Sequence, residues 1–269
     1  MNINQLESQF SAMGARLKSQ VVDSQRWVGN DYVIDIQRDR HGPFFEIRLF
    51  RSLESQLDAN VLQVRPRERH LLLLVRCQQP ARTLDRFLCG HDEREWFVAA
   101  VPGRVSSVAQ AMESLKPNEV LAAQAQAGLT ARQRHSRNNR AFRRQGEWFF
   151  IPLPGLNPDL KRILRDEPIR RGSGKPHFVE QLYREGGVQV YVCSHYPNGV
   201  LEGEYRQLLR EDPSRGRWGW RRMQRDAAVY ARGEIRHPDH RTITVPVWHR
   251  VLMNTETRSR TMSQVAFLD

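Results

Sequence analysis

Along the chain the spacing of apolar residues changes several times, and each change marks an element. Ile3, Leu6, Phe10, Met13, Leu17 and Val21 recur at three- and four-residue steps, which predicts one amphipathic helix over residues 3–22. Tyr32 to Ile36 and Phe44 to Phe50 flank a turn-rich Arg38-Asp-Arg-His-Gly-Pro43, the pattern of a hairpin. Val61 to Val64 and Leu71 to Val75 read as two more strands. The run Leu71-Leu-Leu-Leu-Val75 lacks polar alternation, so it suits a central strand covered on both faces. Arg86 to Gly90 and Trp96 to Val101 extend the same sheet. Ser106 or Ser107 caps a helix through about Leu115, and Lys116-Pro117 ends it.

The second half alternates more and carries more turns. Residues 118–131 suit a connecting helix, and Glu147 to Pro152 suits a strand. A short helix is expected near Asp159 to Leu164 and another over Glu202 to Arg210. Phe178 to Arg184 and Val188 to Ser194 predict a hairpin across Glu185-Gly-Gly187. Val229, Ala231, Gly233 and Ile235 alternate with Tyr230, Arg232, Glu234 and Arg236, a half-buried strand. His237-Pro-Asp-His240 breaks it, because proline removes a donor and aspartate favours a turn. Thr242 to Met253 then returns. The expected fold class is α+β: an N-terminal α+β sheet domain over 1–117, a helical, Arg-rich linker over 118–144, a mostly antiparallel β domain over 145–258 and a tail over 259–269.

That last hairpin is where candidate chemistry concentrates. It places His237 and His240 on either side of a tight turn, where two imidazoles converge on one point. His249 on the returning strand and His177 in Gly174-Lys-Pro-His177 complete a candidate ligand set for a divalent metal such as zinc. The bland alternative makes His237 and His240 turn residues and His249 a packed strand residue. Cys89-Gly-His-Asp-Glu-Arg-Glu95 also gathers a thiol, an imidazole and three acids, but a charged strand-to-strand loop with Cys89 packed inward accounts for it. No phosphate-loop, dinucleotide, paired C-x-x-C, H-E-x-x-H or G-x-S-x-G motif is present, so no catalytic residue is assigned.

Charge changes the picture for the second half. The 269 residues carry a formal +12. Residues 131–269 hold 26 Lys+Arg against 15 Asp+Glu, so nearly all of the excess lies there. Arginine dominates, and its planar fork suits phosphate and stacks on bases. Arg132, Arg134, Arg137, Arg140, Arg143 and Arg144 form a run without an acid. Arg215, Arg217, Arg221, Arg222 and Arg225 interleave with Trp218 and Trp220, as in grooves for single-stranded nucleic acid. The three cysteines are odd in number and widely spaced, which argues against a disulfide framework and for a reducing, cytoplasmic setting. No apolar run is long enough for a membrane span, and the N-terminus lacks a secretory pattern.

Two groups of motifs resemble known sequences. Arg144-Gln-Gly-Glu-Trp-Phe-Phe-Ile-Pro152, Gly174-Lys-Pro-His177, Arg236-His-Pro-Asp-His-Arg-Thr-Ile243 and Trp248-His-Arg-Val251 together resemble a set of uncharacterised bacterial proteins. Those share an R-Q-G-[DE] strand, a central histidine and a terminal histidine-rich hairpin. Phe87-Leu-Cys-Gly-His-Asp-Glu-Arg94 with Trp96 to Pro102 resembles another uncharacterised bacterial group. The resemblance implies a bacterial, cytoplasmic, two-part protein and no particular chemistry.

The function expected from these features is nucleic-acid binding, with RNA or single strands favoured, for example as a subunit of a bacterial ribonucleoprotein with other protein partners. The alternative is a metal-dependent nuclease or phosphoester hydrolase using the histidines.

Overall fold

The computed structural model describes residues 2–23, 32–78, 82–171 and 174–258. Among the described residues the chain forms five α-helices and sixteen strands in four mostly antiparallel sheets, a mixed α+β protein in which β dominates. Among the described residues no helix is long and apolar enough to cross a membrane. The tail expected over 259–269 lies outside the described residues. The chain divides into two compact units. One runs to Pro117 and takes back the segment beginning at Thr255; the other spans Asn118–Asn254.

The first unit begins with α1 (Ile3–Ala12) and β1 (Leu17–Val22). The single helix expected over 3–22 therefore stops early. Gly14 takes a left-handed φ of +81°, which ends the helix, and the β-branched pair Val21-Val22 continues as strand. β2 (Tyr32–Asp39) and β3 (Gly42–Phe50) form the predicted hairpin, and β1 joins β3 in parallel. β4 (Leu57–Arg65), β5 (His70–Cys77), β6 (Thr83–Asp92) and β7 (Glu95–Ala100) form a second, separate sheet in chain order. The expected single curved sheet is thus two. Leu71, Leu73 and Val75 face the core with Phe10, Phe45 and Ile47, while Leu72 packs under α2 (Val108–Ser114) on the other side. Both faces of β5 are covered, as its unbroken apolar run requires. Cys89 is buried within β6, and its burial raises the thiol pKa, which removes it as a nucleophile. The returning segment is anchored: Thr255 N–H donates to the Leu115 carbonyl at 3.0 Å, and Glu256 accepts from Ala100 N–H at 3.0 Å.

The second unit opens with α3 (Asn118–Gln126) and α4 (Ala131–Arg134), the latter held by a Thr130/Gln133 capping box. Val120, Leu129, Ala141 and Phe142 share one buried cluster with Phe149. The stretch expected as a linker packs into this unit through those four apolar residues. β8 (Arg143–Gln145), β9 (Trp148–Pro152), β10 (Leu164–Ile169), β11 (His177–Glu185), β15 (Ala228–Arg236) and β16 (Ile243–Met253) form a six-stranded sheet in the order β10-β11-β15-β16-β9-β8. β12 (Val188–Cys193), β13 (Tyr196–Val200) and β14 (Arg221–Arg225) form a small sheet beside α5 (Glu202–Glu211). The hairpin expected across Glu185-Gly-Gly187 is not formed. β11 pairs with β10 and β15, and the two left-handed glycines lead the chain into the other sheet.

The six-stranded sheet is strongly curled. β11 and β9 are three places apart in the order, a separation of about 14 Å in a flat sheet. Yet the rings of Trp148 and His177 lie 6.3 Å apart, edge to face, on its inner side. The enclosed core holds Phe150, Val179, Leu182, Val229, Ile235, Val245 and Val251.

Leu73 on β5 is fully buried, whereas Leu62 on β4 is exposed. Leu73→Ala is expected to lower unfolding free energy by about 2–5 kcal/mol and Leu62→Ala by less than about 0.5 kcal/mol, measured by urea denaturation. Equal effects would show that the core of this unit lies elsewhere.

Candidate metal centre

Three of the four histidines proposed as ligands meet at one end of the curled sheet. His177 starts β11, and His237 and His240 occupy the turn between β15 and β16. One ring nitrogen from each lies within 4.8 Å of the others. The rings are loosely stacked, with centroids 4.2 Å apart for His177 and His237, 4.6 Å for His237 and His240, and 5.6 Å for His177 and His240. Nitrogens sharing one tetrahedral zinc at 2.0–2.1 Å sit about 3.3 Å apart, so closure asks only for small side-chain rotations. His249 does not join them. It is buried on β16 opposite Ala231 and Pro152, with Nδ1 2.7 Å from its own strand's Val247 carbonyl. Its place in the strand, rather than the turn, separates it from the other three.

His177 is the centre of the group. It is 1% exposed, and neither ring nitrogen has a hydrogen-bonding partner. Burial, and then the neighbouring His237 and His240, push its pKa down to about 3. His237 and His240 are lowered as well, in both cases mainly by burial. Three neutral imidazoles facing one another are what a transition metal requires and what protons avoid. His237 is the most constrained, since its Nδ1 accepts the Asp239 N–H at 3.1 Å. A neutral imidazole has one free lone pair, so metal ligation by His237 displaces this turn bond.

The turn is held from across the sheet by Gln145. Its carboxamide N–H groups donate to the carbonyls of Ile235 at 3.2 Å and Arg241 at 2.7 Å, on either side of the histidines. Gln145 Oε1 and Trp148 Nε1 are themselves buried without a partner. Such atoms are rare in folded proteins, and a bound ligand or water would satisfy them. Gly146 supplies the space. Its φ is +57°, and a Cβ there would stand 2.9 Å from His240 Nε2 and 3.4 Å from His177 Nε2. Both nitrogens therefore point into the same gap.

Charges of both signs surround the gap. Glu147 and Asp239 raise the pKa of His240, while Arg137 and Arg144 oppose them. Lys175 pairs with Asp239 at 2.7 Å. Burial lowers Arg144 to about 10, and burial followed by Arg144 itself lowers Arg137 to about 10. The remaining sequence-predicted arginines scatter. Arg134 and Arg140 donate to carbonyls of Leu129 and Ala127, and Arg143 donates to Thr244. Arg215 pairs with Glu211 and Asp212, and Arg225 caps the carbonyls of Asn198 and Gly199. Arg132, Arg217, Arg221 and Arg222 are exposed. Trp218 and Trp220 are half-buried. They stack with His195 and Tyr196 and meet Tyr205 edge to face in an aromatic cluster beside α5, and Trp220 donates to the Arg215 carbonyl at 2.8 Å. Of the eleven arginines in the arginine-rich run and the Arg–Trp loop, Arg134, Arg140, Arg143, Arg215 and Arg225 have local partners, and Arg132, Arg217, Arg221 and Arg222 are exposed.

No protein family, curated protein or solved structure matches the chain.

Because His177 is neutral when folded and binds a proton near pH 6.5 when unfolded, its contribution is complete above that pH and is lost as pH falls toward 3. Between pH 6.5 and 5.5 it should cost about 1 kcal/mol of unfolding free energy. His177→Leu should flatten that slope in urea titrations at the two pH values. An unchanged slope would mean that His177 titrates normally.

Proposed function

We propose that this chain is a metal-dependent phosphoester hydrolase whose centre is His177, His237 and His240. The observation that supports it most is the completely buried His177, with both ring nitrogens unpartnered, facing two further imidazoles across the gap left by Gly146. Three protein ligands leave a fourth position for water or substrate, the arrangement of catalytic rather than structural zinc sites. A metal bound there would lower the pKa of its water toward 7 and polarise a phosphoryl oxygen.

The chain's own residues divide the remaining work. Glu147, in the same turn as Gly146, is the charge that acts most strongly on His240 and is the best-placed general base. Asp239 is committed to Lys175 and serves to hold the turn. Arg137 and Arg144 set a positive field at His240, which favours an anionic substrate over a neutral one.

The test is elemental analysis of protein purified without chelator, followed by turnover of bis(p-nitrophenyl) phosphate. About one zinc, manganese or cobalt ion per chain is expected. His177→Ala and His240→Ala should weaken metal affinity by at least about 100-fold, while His249→Ala leaves it within about threefold. Gly146→Ala should weaken it too, because the added methyl fills the gap. Glu147→Gln should keep the metal and lose about 100-fold or more in kcat. Failure of all three metals to bind at micromolar concentration would remove the proposal.

A further inference from the structure

The opposite, outer face of the same curled sheet carries a second unusual arrangement. Tyr183 on β11, Tyr230 on β15 and Arg250 on β16 stand in register across three strands. The two tyrosine rings are stacked at 5.8 Å, and the Arg250 guanidinium lies 5.3 Å from the Tyr230 ring centre. Arg162 covers Tyr183 at 5.0 Å, and Arg232 covers Trp248 at 4.9 Å. Three guanidiniums thus lie over three aromatic rings on one sheet face. Arg232 is oriented by Gln181 at 2.8 Å, and Arg162 by the Arg184 carbonyl at 3.1 Å. Arg250 differs, because its Nη1 is buried without an acceptor. A buried cationic N–H lacking an acceptor is costly, and an incoming phosphate or base oxygen would satisfy it.

We propose that this outer face binds single-stranded nucleic acid, with a base exchanging for the Arg250 guanidinium over the half-buried Tyr230, backed by Tyr183 and Trp248, which are each 4% exposed, while the released arginine meets a phosphate. Guanidinium and nucleobase are both flat and both stack on aromatic faces, so one can take the other's seat. Such stacking on a sheet, flanked by arginine, tolerates any base sequence. The net +11 of residues 131–269, from 26 Lys+Arg less 15 Asp+Glu, supplies the complementary charge. The surface differs from the arginine run and the Arg–Trp loop that composition singles out. It does not rest on the metal centre, since it lies on the other side of the sheet and requires no ion.

The experiment is fluorescence anisotropy of labelled 15-mers of oligo(U) and oligo(dT), and of a 15-base-pair duplex, with the full chain in EDTA at several salt concentrations. Wild type should bind both single strands at least tenfold more tightly than duplex, and the two single-strand arms distinguish RNA from DNA. R162E/R250E should lose at least tenfold, and its slope of log affinity against log salt should fall by about 1–2. Y230L should lose severalfold with an unchanged slope, which a general loss of structure would not produce. R221E/R222E, altering exposed arginines on β14, should change affinity less than threefold. R162E alone, at an exposed position, serves if the double variant fails to fold, with a severalfold loss expected. No single-strand binding by wild type, equal binding of duplex, or a greater loss in R221E/R222E than in the outer-face variants would overturn the proposal.

Discussion

The second unit turns on one carboxamide. Gln145 sits at the edge of the six-stranded sheet, completely buried, and spends both amide hydrogens on carbonyls flanking the histidine turn. Without those bonds, the buried Gln145 amide would lose its acceptors, at roughly 1–3 kcal/mol. The bonds also require the sheet to curl, because they bring its edge strand to the end of β15. The same curl puts Trp148 against His177 and fills the inner face with an apolar core. Position of the turn, closure of the sheet and burial of His177 are therefore one structural event rather than three.

Burial then dictates the electrostatics. An imidazolium at His177 would have to be charged in an apolar pocket beside two more imidazoles, so the ring stays neutral. Arginine behaves differently, since it stays charged and must find acceptors. Much of the excess arginine in this half finds backbone carbonyls, as with Arg134, Arg140, Arg143 and Arg225, or nearby acids, as with Arg215. Count of charges along the sequence is for that reason a poor map of a binding surface. What distinguishes Arg162, Arg232 and Arg250 is their seat on aromatic rings, not their number.

Local patterns make the strands legible: the unbroken apolar run Leu71 to Val75 as a doubly covered strand, and the alternation that opens Val229 to Met253 as a hairpin with histidines at its tip. Those signals are local, so they survive in the one-dimensional chain. The helix over 3–22 was overextended because one apolar stripe runs on past Gly14, whose left-handed backbone the periodicity ignores. The glycines at 186–187 suggested a hairpin, but a tight turn also serves to carry a chain between sheets. His177 is legible as a candidate ligand beside His237, His240 and His249, and the R-Q-G-E segment as part of a resemblance, yet no local signal gives Gln145 its role at the turn. Gln145 acts on carbonyls 90 and 96 residues away, a link that only the curl of the sheet creates. The outer-face row did leave a trace. Tyr230 and Arg232, and Trp248 and Arg250, each repeat aromatic-then-arginine at spacing two, which puts both on one side of a strand.

One sheet can serve two purposes because its faces are chemically independent. Side chains alternate across it, so β11 sends Leu182 inward to the core and Tyr183 outward to the arginine row, while β15 sends Ala231 inward and Tyr230 outward. A change to the outer row leaves the packing that positions the histidines intact, provided the backbone ladder holds. The backbone is the common element, and it is reinforced where the two faces meet. Glu180 fills the bulge on β11 and accepts from the Glu234 N–H at 2.8 Å, and Gly233 opposite has no side chain to obstruct it. That bulge bends β11 and β15 near the end that carries His177 and His237. A side chain at 233 would strike Glu180 and, with φ at +90°, strain the strand, so the bend depends on a residue without a side chain.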